Sequence, residues 1–144
     1  TRALEEGDYY IRATATDEAG NVSEIYRVTY TLDLTAPEAP VLTAQTGHYQ
    51  ILLNVKEAAE EDFAYYEYYR RLIGEDTYTL IKKCADNSYT DTDVKPDTVY
   101  SYKVAAYDKC GNVSWSTEQT AYADVKAAIE TINHATDGLE QYTK

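Results

Sequence analysis

Methionine is absent from the 144 residues, and Thr1 stands where an initiator would be. The N-terminus also lacks the basic-then-apolar pattern of a secretory signal. The chain is therefore expected to be a fragment of a longer polypeptide, with any export signal or anchor outside it. No apolar run approaches the ~20 residues that a membrane-spanning helix needs, so no membrane insertion is expected within this segment. Histidine is scarce: His48 and His134 sit in unrelated segments, with no nucleophile or second ligand in a recognisable pattern. Phosphate loops, Ser-His-Asp arrangements, zinc boxes and paired glycosidase carboxylates are missing as well. No catalytic residue, cofactor or metal is expected, and a small chain without a cleft-forming insertion is a poor enzyme scaffold.

Positive charge is also in short supply. The 13 Lys and Arg residues face 25 Asp and Glu, for a net charge of −12, and the basic residues are spread out apart from Arg70-Arg71 and Lys82-Lys83. Such a field repels phosphate backbones, which argues against a nucleic-acid partner. Dispersed charge of this kind reads as a solvated surface, and the composition as that of a soluble globular stretch.

What the chain does contain is an internal repeat. Tyr9 to Ser23 reads YYIRATATDEAGNVS and Tyr100 to Ser114 reads YSYKVAAYDKCGNVS, an offset of 91 residues. Tyr9 matches Tyr100, Ala15 matches Ala106, Asp17 matches Asp108, and the Gly-Asn-Val-Ser run recurs whole. An offset of that size is about the length of one immunoglobulin-like sandwich. Residues 1–34 are accordingly expected to be the last two strands of an upstream module, Asp8 to Thr16 and Ile25 to Leu32. Residues 35–123 would form a complete module. The join carries Pro37 and Pro40, which fix φ and favour extended predecessors, making a short, semi-stiff connector.

From Val41 onward, period-two alternation predicts seven short strands: Val41 to Gln45, Tyr49 to Lys56, Phe63 to Leu72, Thr77 to Lys83, Ser88 to Thr92, Val99 to Tyr107 and Ser116 to Tyr122. Seven strands with turn residues between them argue for two packed antiparallel sheets. After Tyr122 the period changes, because Val125, Ala128, Ile132, Ala135, Leu139 and Tyr142 follow helical spacing. A short helix over 124–144 is expected, capped by Asp124 and stopped by Gly138, as an extension or the start of another domain.

Val94-Lys95-Pro96-Asp97-Thr98-Val99-Tyr100, followed by Tyr102, Val104 and Ala106, resembles the run that opens the sixth strand of fibronectin type III domains. The resemblance implies a tyrosine corner: Pro96 rigidifies the turn, Thr98 follows it, and Tyr100 enters the core while its hydroxyl returns to upstream backbone. Tyr66 and Tyr68 would face inward on the third strand, with Tyr65, Glu67 and Tyr69 outward. One departure stands out. The family's usual core Trp on the second strand is replaced near Val55, and the only tryptophan is Trp115. A bacterial immunoglobulin-like relative fits as well. The Asp-x-x-Gly-Asn-Val-Ser turns with Ala-Pro linkers resemble tandem modules of large bacterial surface or secreted proteins. That setting implies an extracellular or cell-surface location and a spacing, scaffolding or adhesive role, with neighbouring domains of the same polypeptide as partners. The alternative it implies is an accessory module, carbohydrate-binding or otherwise, of a secreted multidomain enzyme or toxin.

Several residue groups invite a sharper reading. Asp17 to Asn21 and Asp108 to Asn112 offer oxygens that suit Ca²⁺, but too few for its coordination, and they read better as hairpin turns. Asp86, Asp91 and Asp93 read as a solvated strand edge. Cys84 and Cys110 are neither a metal box nor a redox pair. In the resembled topology they lie at one pole, so a disulfide closing a loop of about 27 residues and stabilising by roughly 3–4 kcal/mol is one option. Two reduced thiols are the other. Tyrosine is abundant at 16 residues. Tyr65, Tyr69 and Tyr107 would share one sheet face, either as an aromatic surface for a protein or carbohydrate ligand or as ordinary cross-strand pairs.

Overall fold

The computed structural model describes residues 2–56 and 60–125, and they are all strand, turn and loop. Ten strands follow one another: β1 Gly7–Ala13, β2 Tyr26–Leu32, β3 Leu42–Gly47, β4 Gln50–Val55, β5 Phe63–Leu72, β6 Thr79–Cys84, β7 Ser88–Asp91, β8 Val99–Asp108, β9 Val113–Trp115 and β10 Gln119–Tyr122. β1 and β2 pair as an antiparallel ribbon, while the rest divide into a β3-β4-β7 sheet and a β10-β8-β5-β6 sheet in which β9 also pairs with β8. Of the helix expected over 124–144, residues 126–144 lie outside the described residues, and Asp124, its expected cap, forms an isolated parallel bridge with His48.

The alternation along each strand explains the layering. Leu42 on β3 and Ile51, Leu53 and Val55 on β4 are buried against Tyr66 and Tyr68 of β5 and Tyr100, Tyr102, Val104 and Ala106 of β8. Successive side chains on a strand point to opposite faces, so each of these runs supplies one apolar row to a shared interior. Four buried tyrosine rings occupy much of that interior, where small aliphatic residues such as Val55 would leave space. Buried phenols need hydrogen-bond partners. Tyr68 donates to the Asp86 carbonyl at 2.8 Å, and Tyr102 to Asp91 Oδ2 at 2.8 Å.

The expected seven strands of the module are eight. Its last strand is broken, because Ala105 pairs with Trp115 but Tyr102 pairs with Gln119. Three residues on β8 thus oppose four on the other side, which is the signature of a β-bulge. Ser116 bridges the gap: its N–H donates to the Val104 carbonyl at 2.8 Å, and its hydroxyl accepts from Val104 N–H at 2.9 Å.

Candidate functional site

The outer face of the β10-β8-β5-β6 sheet gathers most of the residues singled out above. Tyr65 lies opposite Tyr107, Glu67 opposite Ala105, and Tyr69 opposite Lys103, while Trp115 of β9 lies opposite Ala105 on its other side. All of these occupy outward positions of the pleat. Tyr65 and Tyr107 stack across the strands with centroids 4.9 Å apart and planes 20° from parallel. The Lys83 ammonium sits 4.0 Å from the Tyr65 centroid. Tyr69 leans toward Trp115 at 5.3 Å instead of toward Tyr107.

The three tyrosines thus divide into two clusters, bridged by Glu67. Tyr69 donates its hydroxyl proton to Glu67 Oε2 at 2.6 Å, and Lys83 approaches Glu67 Oε1 at 4.0 Å. The bond to Glu67, followed by burial, pushes the Tyr69 phenol up from its ordinary value; burial, then the Glu67 charge, does the same to Tyr107. At the other end of the face Arg71 pairs with Glu118 at 2.9 Å, and Tyr78 donates to the same carboxylate. Those bonds, with Tyr78 the largest contributor, hold the Glu118 carboxyl below its ordinary range.

Lys103 stands within the Tyr69–Trp115 cluster. Its ammonium lies 4.3 Å from the Trp115 centroid, 4.4 Å from Tyr78 and 5.9 Å from Tyr69. Sequence reasoning reached Tyr65, Tyr69 and Tyr107 but missed Lys103, Trp115, Tyr78 and Lys83. Period-two stepping back from Tyr107 through Ala105 would have reached Lys103; Trp115 comes from β9 and Tyr78 from the loop before β6, and neither leaves a local signal.

Pro96, Thr98 and Tyr100 form a corner at the start of β8. The Tyr100 ring is 6% exposed, and its hydroxyl accepts a hydrogen bond from Lys95 N–H at 3.0 Å. Thr98 donates to the Pro96 carbonyl at 3.3 Å, while Asp97 takes the left-handed conformation (φ 55°) that tightens the turn.

The Asp108 turn is organised by its carboxylate. Oδ1 accepts from Cys110 N–H and Asn112 N–H at 2.8 Å, and Oδ2 accepts from Asn112 Nδ2 at 2.8 Å. Burial pushes this carboxyl up, but the bonds from Asn112, Cys110 and Gly111 together outweigh it and hold the group below its ordinary value. A group held down in the folded state adds stability that is complete above the unfolded value near ~3.9 and is lost as pH falls through the folded value. Asp108→Asn should therefore show a smaller drop in urea midpoint between pH 5 and pH 2.5 than the parent. Equal drops in both would show that Asp108 does not contribute to the acid limb. Asp33 and Asp62 join Asp108, each presenting one carboxylate oxygen within 4.8 Å of the others, a convergence of three separate segments that no sequence spacing signalled.

One expectation is corrected, and one open choice is decided. The Asp86, Asp91 and Asp93 group is not a solvated edge throughout, since Asp91 is 1% exposed. Arg70 Nη1 reaches Asp91 at 2.9 and 3.0 Å, and Tyr102 completes the shell. Of the two options for the cysteines, the structure has Cys84 and Cys110 both free. Cys84 pairs across β6 with Tyr66, whereas Cys110 lies just past Asp108, which pairs with Phe63 on the opposite side of β5. With β5 between them, β6 and β8 are two inter-strand spacings apart, about 9–10 Å, more than the ~7 Å Cα separation a bridge allows. Burial and the charges of Asp33, Asp108 and Asp62 push the Cys110 thiol up, away from the thiolate.

No family model matches the chain, and no curated protein does. Solved structures do. A Fn3-like protein from Clostridium thermocellum is 26% identical with a TM-score of 0.52, the alignment covering 62% of this chain and 95% of that one. The sandwich is a fibronectin type III/immunoglobulin-like module. The fibronectin type III fold also matches inside larger enzymes. Beta-1,2-glucanase from Parabacteroides distasonis is 28% identical with a TM-score of 0.52, over 73% of this chain and 16% of that one. Pectate lyase PelI from Erwinia chrysanthemi, solved with tetragalacturonic acid, is 19% identical with a TM-score of 0.53, over 58% and 28%. This chain thus spans little more than a quarter of the lyase's length, and the likeness there is one of fold. In this fibronectin-like module the second strand carries Val55 where the family usually has tryptophan, and the buried tyrosines of β5 and β8 fill the interior instead.

Proposed function

We propose that the chain is a noncatalytic stretch of a tandem β-sandwich array in a larger exported bacterial polypeptide. In this reading one complete fibronectin-like module, residues 35–123, is preceded by the closing strands of another, residues 1–34. Its role is to space and present neighbouring domains at or beyond the cell surface.

The observation that carries this reading is a repeat of pairing register, not only of sequence. Tyr9 pairs with Tyr30 as Tyr100 pairs with Ala121, and Ile11 with Val28 as Tyr102 with Gln119, each at the offset of 91. The bridge Thr16 to Val22 repeats Tyr107 to Val113, so the bulge recurs too. Asn21 bonds the Asp17 carboxylate at 2.8 Å with both its N–H and its side chain, as Asn112 does with Asp108. In the complete module this ribbon's apolar row lies under β3 and β4, whereas Ile11, Tyr26, Val28 and Tyr30 stand exposed. A lone two-stranded ribbon is marginal in water, so that row calls for a covering sheet.

The linker supports a stiff array. Asn112 Nδ2 donates to the Asp33 carbonyl at 3.0 Å, Ser114 donates to the Pro37 carbonyl, and Thr35 donates to Glu6 at 2.6 Å. Removing residues 1–32 should change the unfolding free energy of the remaining module by less than about 0.5 kcal/mol, as for surface changes remote from the core. A large cooperative loss would mean that the ribbon belongs to this module. Asn112→Ala with Ser114→Ala should broaden the interdomain distance distribution in small-angle scattering, and an unchanged distribution would count against a docked linker.

A second reading, an accessory module that positions a carbohydrate-active domain, is favoured by the glucanase and lyase matches together with the aromatic face. The purified chain should not turn over β-1,2-glucan or polygalacturonate. Turnover of either would overturn the noncatalytic assignment.

A further inference from the structure

We infer that the Lys103–Trp115 corner of the outer sheet face binds a glycan carrying uronic acid residues, with Lys103 taking the carboxylate and Trp115 the sugar ring. Charge on the face is the first argument. Glu67 is approached by Lys83 and Glu118 is paired with Arg71. Lys103 instead has aromatic rings around its ammonium, and no ion pair to it is formed among the described residues. Three cations against two carboxylates leave this face at +1 on a chain whose net charge is −12. An anion is therefore attracted at one spot and repelled elsewhere, which selects a ligand with spaced single charges over a dense polyanion.

Shape and chemistry point to a sugar. Trp115 is 42% exposed, with the Lys103 ammonium over its indole and Tyr69 beside it, and the part of the ring left open is what a sugar would meet. A hexuronate carries its carboxylate on the ring carbon beside the ring oxygen, so charge and ring face are adjacent. The Lys103 ammonium lies over the indole, 4.3 Å from its centroid, so charge and ring are adjacent on the protein as well. Tyr69 and Tyr78 flank the ammonium at 5.9 and 4.4 Å, while their hydroxyls are committed to Glu67 and Glu118. The carboxylate of an acidic peptide would satisfy Lys103 but bring no ring for the indole. The face is open, so affinity should be modest, on the order of 0.1 mM, where each tenfold corresponds to 1.4 kcal/mol.

Trp115 is the sole tryptophan, so its emission reports this site alone. The 144-residue chain would be titrated with tetragalacturonate, a hyaluronan tetrasaccharide, fully methyl-esterified tetragalacturonate and poly-L-glutamate. A saturable change is expected with at least one uronate, and at least about tenfold weaker binding is expected for the ester. Lys103→Gln should abolish the preference for acid over ester, Lys103→Arg should keep it, and Lys56→Gln, exposed just past β4, should leave it unchanged. Trp115→Ala, followed by calorimetry, should weaken uronate binding about tenfold or more. Silence with both uronates, equal response to poly-L-glutamate, or a preference that survives Lys103→Gln at an unchanged unfolding midpoint overturns the inference. The tandem-array reading rests on separate residues and would stand in each case.

Discussion

Asp91→Ala should destabilise the sandwich by about 3–5 kcal/mol, the range for removing one partner of a buried ion pair. The carboxylate is 1% exposed and accepts two bonds from Arg70 Nη1, one from the Tyr102 hydroxyl and one from Asp93 N–H at 3.2 Å. Truncation leaves the Arg70 charge half-enclosed with only the Asp93 carbonyl at 2.6 Å and the exposed Asp93 carboxylate at 3.2 Å to answer it. It also strands the Tyr102 hydroxyl in the interior, where an unmet polar group costs roughly 1–3 kcal/mol. For a domain of this size each kcal/mol moves the melting midpoint by about 4–8 °C, so a drop of tens of degrees should appear by calorimetry. Replacing the set with apolar residues, Arg70→Leu, Asp91→Leu and Tyr102→Phe together, should recover most of the loss, because burying a charge pair costs nearly what its attraction returns. A single Asp91→Ala variant that melts within a few degrees of the parent would show that the pair is not holding the two sheets.

Tyr100 should give the other large effect. Tyr100→Ala empties a ring-sized volume in the corner and is expected to cost about 3–5 kcal/mol. Tyr100→Phe keeps the ring, deletes only the acceptor for Lys95 N–H, and should cost about 1–2 kcal/mol. The Arg70 guanidinium lies 5.3 Å from the Tyr100 centroid, so the corner and the Asp91 network are neighbours. Their losses should not be additive, and a double-mutant cycle should return a coupling of about 0.5–3 kcal/mol. Urea denaturation of the three variants checks this. Equal costs for Phe and Ala would mean that the hydroxyl, not the ring, carries the corner.

Tyr100 could be placed from the sequence because everything it needs is close by. Pro96 sets the turn and the acceptor bond runs only five residues back. The inward rows of β5 and β8 were equally plain, since period-two alternation is a property of the strand itself. Asp91 shows the opposite case. An Asp-x-Asp on a short strand looks like a solvated edge until Arg70, twenty-one residues earlier, is brought across the interior to meet it. Lys103 is similar, because two of the rings around it come from β9 and from the loop before β6.

The sequence by itself determined the repeat, the alternating strands, the corner and the shortage of positive charge, all of which follow from local geometry and composition. Only the tertiary structure decided which strands lie side by side. That order placed β5 between the two cysteines and kept them apart, buried Asp91 against Arg70, and split the outward tyrosines into two clusters, one of them holding Lys103. The physical reason is range: backbone conformation is set within a few residues, whereas the identity of a neighbour across a sheet depends on chain segments tens of residues away.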